Sequence, residues 1–414
     1  MSEKNEIKKF TKYQVFVVTV LALMQFTVIL DFMVMAPLSA ILLPVLQITT
    51  AQFGFAVSAY AFSACAAGIL TAGFADKYDR KKLLMFFYCG FVIGTFFCGI
   101  APNYHFLLAA RIVTGMFGGV IGSIGAAIIT DLFELEKRGR VMGFVQMGFA
   151  ASQVLGLPIG LLLANHFGWH SPFLMIVGLS VIMGIIVFSY LKPIAEHLKT
   201  PLDRNAFMHL FKTISRPDYL QAFATMILLA TGGYMMMPFG SAFSVNNIGI
   251  KLDQLPLMYM VTGVFSFGVA PLAGKFSDKI GKYNVFLIGT VLTMIIVSIY
   301  CNLGITPLWI ILIINVLLFA GIFSRIVPAS ALMTAIPDAH DRGAFMSINA
   351  SIQQFAGGIA SAAAGLIVVQ MPDGKILHYD TLGYVVMCAM VITAVMMYFI
   401  NRQVAKKIHT TKPI

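Results

Sequence analysis

Charge is what this chain has least of. Only 11% of its 414 residues are Asp, Glu, Lys or Arg, while 59% are apolar and the mean hydropathy is +0.88. A soluble domain carries about 25% charge and is at most about half apolar, so a water-soluble globule of this size could not cover itself. That excludes a cytoplasmic enzyme, a nucleic-acid binder and a secreted disulfide scaffold. Cysteine is scarce as well. The five (Cys65, Cys89, Cys98, Cys301, Cys388) lie in apolar runs without CxxC spacing or a nearby His, so they read as packing residues. None of the eight histidines falls in the middle of an apolar run. No metal site, cofactor site or histidine-based chemistry has support, and the chain reads as no enzyme.

What is present is apolar length. A helix needs roughly 20 apolar residues to cross a bilayer. Breaking the chain at charge clusters and at Pro, Gly and Asn turns gives about twelve segments. The first six fall at about 14–44, 52–75, 82–101, 105–131, 141–165 and 170–192. The second six fall at about 218–244, 254–276, 283–302, 307–336, 343–370 and 379–401. The basic start of the chain precedes an apolar stretch too long for a signal-peptide core, with no small-residue cleavage site after it, so the first segment reads as a retained span.

The positive-inside rule orients the spans. With the N-terminus in the cytoplasm, 24 of the 28 Lys and Arg fall at the termini or in inward loops. Outward loops hold only Lys251 and Lys375, and Arg111 and Arg325 lie within spans. Both termini are therefore expected in the cytoplasm. The net charge of +11 is explained by an anionic inner leaflet, without nucleic acid. Trp169 and Trp309 fall at the expected outer ends of spans, where interfacial aromatics belong.

The chain divides into two bundles, residues 1–192 and 218–414, joined by a cytoplasmic linker over 193–217. Within the linker Phe207, Leu210, Phe211 and Ile214 have helical spacing, which suits either a surface helix or a plain polar connection. The halves repeat each other. Aligning Asp76 with Asp278 puts Asp79 over Gly281 and Arg80 over Lys282, and the pair Arg138, Gly139 recurs as Arg342, Gly343. Weak internal symmetry of this kind belongs to transporters built from two six-helix repeats.

On these residues the chain resembles the major facilitator superfamily along nearly its whole length, and most closely its drug–proton antiporter branch. Asp76, Arg80 and Lys81 match the loop motif G-x-x-x-D-R-x-G-R-K, with Ala72 and Asp79 at its two Gly positions. Arg111 and Gly115 match R-x-x-x-G of the fourth span, and Gly156, Pro158 and Gly160 resemble the antiporter motif of the fifth. Gly168, Trp169 and Phe173 resemble the entry to the sixth, with His170 where Arg is usual. The resemblance implies an all-α membrane protein: two pseudo-symmetric six-helix bundles, multi-pass in a bacterial inner membrane, acting as a monomer. It implies a proton-coupled secondary transporter working by alternating access, with the proton as coupling ion and no cofactor. Export of a small amphipathic compound is the expected task. Transport of an anionic organic solute held by an intramembrane Arg is the alternative, and a membrane-embedded lipid-modifying enzyme the rival from another class.

Asp31 is the one acid in the middle of a span. A carboxylate in hydrocarbon is costly unless paired, hydrated or protonated, so Asp31 is the expected proton carrier, against the alternative of a structural ion pair. Its expected partners are Arg111 and Arg325. By resemblance, spans 1, 4, 7 and 10 line the central cavity, so all three would face it. Arg325 breaks the repeat symmetry, which suits either an anionic substrate group or pairing with Asp31. Gln25, Tyr60, Gln146, Gln153, Tyr234, Asn349, Gln353 and Gln354 are further inward-facing candidates for binding substrate. Of Met235, Met236 and Met237, consecutive on a helix, at most two can line one pocket.

Two mechanical groups complete the reading. Asp76, Arg80, Asp131 and Arg342 form an expected latch between bundles, worth about 1–3 kcal/mol because it must break in each cycle; a solvated loop that only sets topology is the alternative. Gly148, Ser152, Gly156 and Gly160 repeat every four residues beside Pro158. They read as a hinge surface between the halves or as simple close packing.

Overall fold

The computed structural model describes residues 10–72, 74–199, 212–338 and 341–411. Among these described residues, eleven helices are long and apolar enough to cross a membrane. Spans 1–6 are Lys12–Val34, Thr50–Thr71, Arg80–Gly99, Tyr104–Leu132, Lys137–Phe167 and Ser171–Tyr190. Spans 7–10 are Pro217–Asn246, Leu252–Ile280, Lys282–Cys301 and Leu308–Ala335, and span 12 is Tyr379–Lys407. The place of span 11 is taken by the helix Arg342–Ile367. Its Ser347, Asn349, Ser351, Gln353 and Gln354 make it the least apolar of the twelve, yet at about 1.5 Å per residue it is long enough to cross. The chain is thus an all-α membrane protein.

Local chemistry sets the ends. Thr11 and Gln14 form a reciprocal capping box at span 1. Asn103 accepts the Phe106 amide at 3.0 Å to start span 4. The first segment is shorter than its apolar run: span 1 stops at Val34, a turn over residues 35–38 containing Pro37 follows, and Ser39–Val45 forms a separate short helix. The repeat motif is solved differently in each half. Gly281 adopts φ +96° between spans 8 and 9. Asp79, at the equivalent place, keeps φ −57° and caps span 3 by accepting the Lys82 amide at 3.0 Å. Asp therefore needs no left-handed backbone here.

All four chain ends of the two bundles — the starts of spans 1 and 7 and the ends of spans 6 and 12 — share one face, termed here the terminal face. At the opposite, remote face the two halves close on each other. The Ala242 amide donates to Ser39 Oγ at 3.3 Å, and the Phe53 and Phe239 rings lie 5.7 Å apart. Spans 2 and 11 touch backbone to backbone: a Cβ on Gly54 would lie 2.7 Å from Ser361 O, and one on Gly365 2.7 Å from Thr50 O. Ser58 Oγ donates across the same seam to Gly358 O at 2.7 Å. A small hairpin, β1 (Val369–Gln370) and β2 (Ile376–Leu377), covers this face. Thr50 Oγ1 donates to Val368 O at its base, and Asn247 exchanges two 2.9 Å hydrogen bonds with Ile376.

One detail departs from expectation. Trp169 is buried, stacked 3.8 Å from the His170 ring, so it packs the bundle instead of meeting headgroups; Trp309 is exposed at the remote end of span 10 as expected. Of the amphipathic linker stretch, Phe207, Leu210 and Phe211 lie outside the described residues.

Candidate functional site

Asp31 lies three residues before the end of span 1, in the half of the bundle nearer the remote face. Span 4 brings Arg111 to it. Arg111 Nη1 donates to Asp31 Oδ2 at 2.8 Å and to the Asp31 carbonyl at 3.3 Å, and both side chains are fully buried. Thr95 of span 3 donates to Asp31 Oδ1 at 3.2 Å. Both carboxylate oxygens are therefore occupied, while Arg111 Nε and Nη2 have no hydrogen-bond partner among the described residues. Glycines make this fit possible: a Cβ on Gly115 would meet Tyr60 O at 2.4 Å, and one on Gly118 the Tyr60 hydroxyl at 2.8 Å. Tyr60 consequently lies flat beneath Arg111, its ring centroid 4.6 Å from Cζ, a cation–π contact.

The aromatic contacts continue into the other half. The Phe32 ring lies 5.2 Å from Tyr60 and 5.9 Å from Tyr234 of span 7. Tyr234 packs on Gly357 of span 11, and its carbonyl accepts from Ser361 Oγ at 3.2 Å. Asp31, Arg111, Tyr60 and Tyr234 thus form one connected group. Tyr60 is a packing partner of Arg111, buried between spans 2 and 4, and not the open cavity wall expected of it.

Arg325 stands apart. Gly321 and Ser324 of span 10 interlock with Thr293 and Gly289 of span 9, which turns the next residue the same way. The Arg325 guanidinium lies over Phe286 of span 9 at 5.7 Å, buried, with Nε and Nη2 lacking a hydrogen-bond partner among the described residues. It does not pair with Asp31; the helix register lays it against span 9. Of the other candidates, Gln25 lies beside Gly122 of span 4 and Gln146 is exposed. Asn349 is buried, Gln353 is half-buried, and Asn349 Oδ1 and Gln354 Oε1 lack partners among the described residues. None of these joins the Asp31 group.

The stripe on span 5 faces span 1 of the same half, and this corrects its reading as a surface between halves. A Cβ on Gly148 would lie 2.8 Å from Ala22 O, one on Gly156 2.6 Å from Leu30, and one on Gly160 3.5 Å from Val34. Ser152 Oγ donates to Phe26 O at 3.0 Å. Residues every four apart on span 5 meet residues every four apart on span 1, ridge against ridge. Contact with the other half falls to a neighbouring feature. Ser152–Gly156 is a wide π-turn just before Pro158, whose ring and missing N–H disfavour the regular bond at that point. It presents Gln153 and Val154 to span 8, where a Cβ on Gly263 would lie 3.0 Å from Val154 Cα.

In the expected latch, Arg80 Nε bonds Asp131 Oδ2 at 3.0 Å and Nη1 donates to Ala75 O at 3.2 Å. Both partners belong to the first half, so this pair braces one bundle. The side chains of Asp76 and Arg342 lie outside the described residues. A second charged group was not anticipated. Arg216 at the start of span 7 pairs with Asp341, which also accepts from Tyr219, and Lys407 at the end of span 12 bonds Asp338 at 2.7 Å. Its residues had been read only as topology-setting charges, and their separations of more than 60 positions carry no sequence signal.

Two repeated helical bundles that enclose a buried ion pair define a membrane transporter. The chain belongs to the Major Facilitator Superfamily, whose family model matches residues 21–361 and 228–413. It is 24% identical over 276 residues to the probable sugar efflux transporter of Helicobacter pylori (strain G27), covering 67% of each chain. It is 31% identical over 152 residues to multidrug resistance protein 3 of Bacillus subtilis (strain 168), a stretch of 37% of this chain and 30% of that one. Its fold is similar to the crystal structure of a D-xylose–proton symporter, with TM-score 0.74, 17% identity and coverage of 93% and 97%. The protein is a multi-pass membrane transporter of small molecules and not an enzyme.

Proposed function

We propose that the protein is a proton-coupled exporter of small amphipathic compounds, of the drug–proton antiporter branch, working by alternating access as a monomer in a bacterial inner membrane with both termini cytoplasmic. The single observation that carries this is the enclosed Asp31–Arg111 pair. A proton added to Asp31 removes one of two charges that hold spans 1 and 4 together in the half of the bundle nearer the remote face, and leaves a guanidinium that must find another partner. That difference between protonated and deprotonated states is what a coupling ion needs to bias one face open over the other. Export is supported by the sugar efflux named for one relative, by the multidrug resistance named for another and by the span 5 motif. The charge count supports the orientation, with inward loops and termini holding nearly all Lys and Arg. An anionic solute is less well supported, because Arg111 is engaged by Asp31 and Arg325 turns towards span 9.

The test is Asp31→Asn in proteoliposomes. Asn keeps an oxygen for Arg111 but cannot exchange a proton at neutral pH. The variant should fold, and its substrate transport should no longer respond to a pH gradient. Proton-driven transport at the normal rate would refute Asp31 as carrier, and uptake driven by an inward proton gradient would refute the export direction.

A further inference from the structure

The remote side of Asp31 is shut by something other than charge. Phe32, the next residue, wedges its ring between Tyr60 of its own half and Tyr234 of the other, at 5.2 and 5.9 Å. Beyond these rings lies a void no larger than a water molecule, lined by Phe32, Ala36, Val57, Tyr234, Pro238 and Ser361 among others. Its walls are mainly apolar, with hydroxyls on Tyr234 and on Ser361, whose Oγ is already bonded to Tyr234 O at 3.2 Å. A water needs two to four polar partners to settle in a cavity, and an apolar void of this size stays dry. Protons do not cross a dewetted apolar constriction. The charged and titratable groups facing Asp31 itself are Arg111 of span 4, the buried Cys98 thiol of span 3 and, through Arg111, Tyr60 of span 2; Thr95 of span 3 donates to it.

We infer that Phe32 and Tyr234, with Tyr60 behind them, are the barrier that prevents Asp31 from exchanging its proton with the remote side, and that this exchange occurs only when the Phe32–Tyr234 contact across the two halves parts. The inference rests on the reading of Asp31 as proton carrier. It adds a division of labour: the ion pair stores the proton, and an aromatic pair contributed by both halves decides when the remote solution reaches it. Because one ring is on span 1 and the other on span 7, any motion that separates the halves at the remote face separates the rings. Tyr60 acts differently, as a positioning residue, since it supports both the Arg111 guanidinium and the Phe32 ring.

The experiment is proton leak without substrate, in proteoliposomes loaded with a pH-sensitive dye and given a potassium–valinomycin potential. The unmodified protein should be tight. Phe32→Ala should leak at least about tenfold faster, and Tyr234→Ala should leak likewise, while Tyr234→Phe, which keeps the ring, stays tight. The double variant Phe32→Ala/Asp31→Asn should return to the baseline. A tight Phe32→Ala protein overturns the barrier. A leak that survives Asp31→Asn overturns it too, because the path would then bypass the carboxyl. If Phe32→Ala fails to fold, Phe32→Leu retains side-chain bulk without the ring and is read in the same way. Failure here is distinct from failure of the carrier assignment, which is decided by the substrate transport of Asp31→Asn alone.

Discussion

Replacing both members of the Asp31–Arg111 pair by leucine should harm the fold less than replacing either one. The pair is fully buried, and each member is specific: Arg111 makes two hydrogen bonds to Asp31, at 2.8 and 3.3 Å, and a cation–π contact with Tyr60. Asp31→Leu would strand a guanidinium that cannot discard its charge, in a site where removal of one partner costs about 3–5 kcal/mol. Arg111→Leu would strand a carboxylate whose remaining protein donor is Thr95, with a cost of the same order. In the double variant neither charge remains. The losses are then about 1 kcal/mol for the Thr95 hydrogen bond and ~0.5–2 kcal/mol for the Tyr60 contact, offset by apolar burial. The double variant should therefore lie within about 2 kcal/mol of the unmodified protein, with a favourable coupling of several kcal/mol between the sites. Reversible unfolding in mixed micelles, read as a double-mutant cycle, measures this. A double variant destabilised by the sum of the two single losses would refute the reasoning, since each residue would then be held by its other neighbours. All three variants should lose proton-coupled transport, so stability and function separate cleanly.

Two further outcomes follow from the packing and the terminal-face charges. Gly148→Ala should destabilise by about 1–3 kcal/mol, because its Cβ would press 2.8 Å against the Ala22 carbonyl, while Gly143→Ala, with nothing within 4 Å, should be neutral or slightly stabilising; thermal denaturation of both variants compares them. The hydrogen bond and charge of Lys407, with Arg216 nearby, hold the Asp338 carboxyl below the usual aspartate range. A depressed carboxylate contributes above its unfolded value and loses that contribution as pH falls through the folded one. Hydrogen-exchange protection at the end of span 12, taken relative to the intrinsic rate at each pH, should thus be unchanged from pH 8 to 5 and fall only below about pH 4, and Asp338→Asn should abolish that fall.

The number and order of spans were legible because hydropathy is a one-dimensional property, and Asp31 stood out because no other acid lies well inside an apolar run; the run placed it mid-span, whereas the turn at residues 35–38 ends span 1 three residues beyond it. What the sequence could not express was helix rotation. Arg111 and Arg325 were both candidate partners of Asp31, and the interlocking of Gly321 and Ser324 with span 9 turns Arg325 away from it. The same limit applied to the span 5 stripe: four small residues announce a close neighbour, but the matching every-fourth pattern of Ala22, Phe26, Leu30 and Val34 shows which one. The Arg216–Asp341 and Lys407–Asp338 ties were invisible for another reason. They join chain ends and a loop whose proximity is a product of the finished bundle.

The hairpin on the remote face has unequal moorings, and that inequality dictates its itinerary. Asn247 holds Ile376 by a matched pair of bonds, both partners lying in the second half, whereas a lone hydroxyl, Thr50, reaches its base from the first. Any parting of the halves at this face would break the single tether and leave the double one intact. The hairpin would then ride as a passenger on spans 7 and 11, lifting away like a hatch fixed to one leaf of a door.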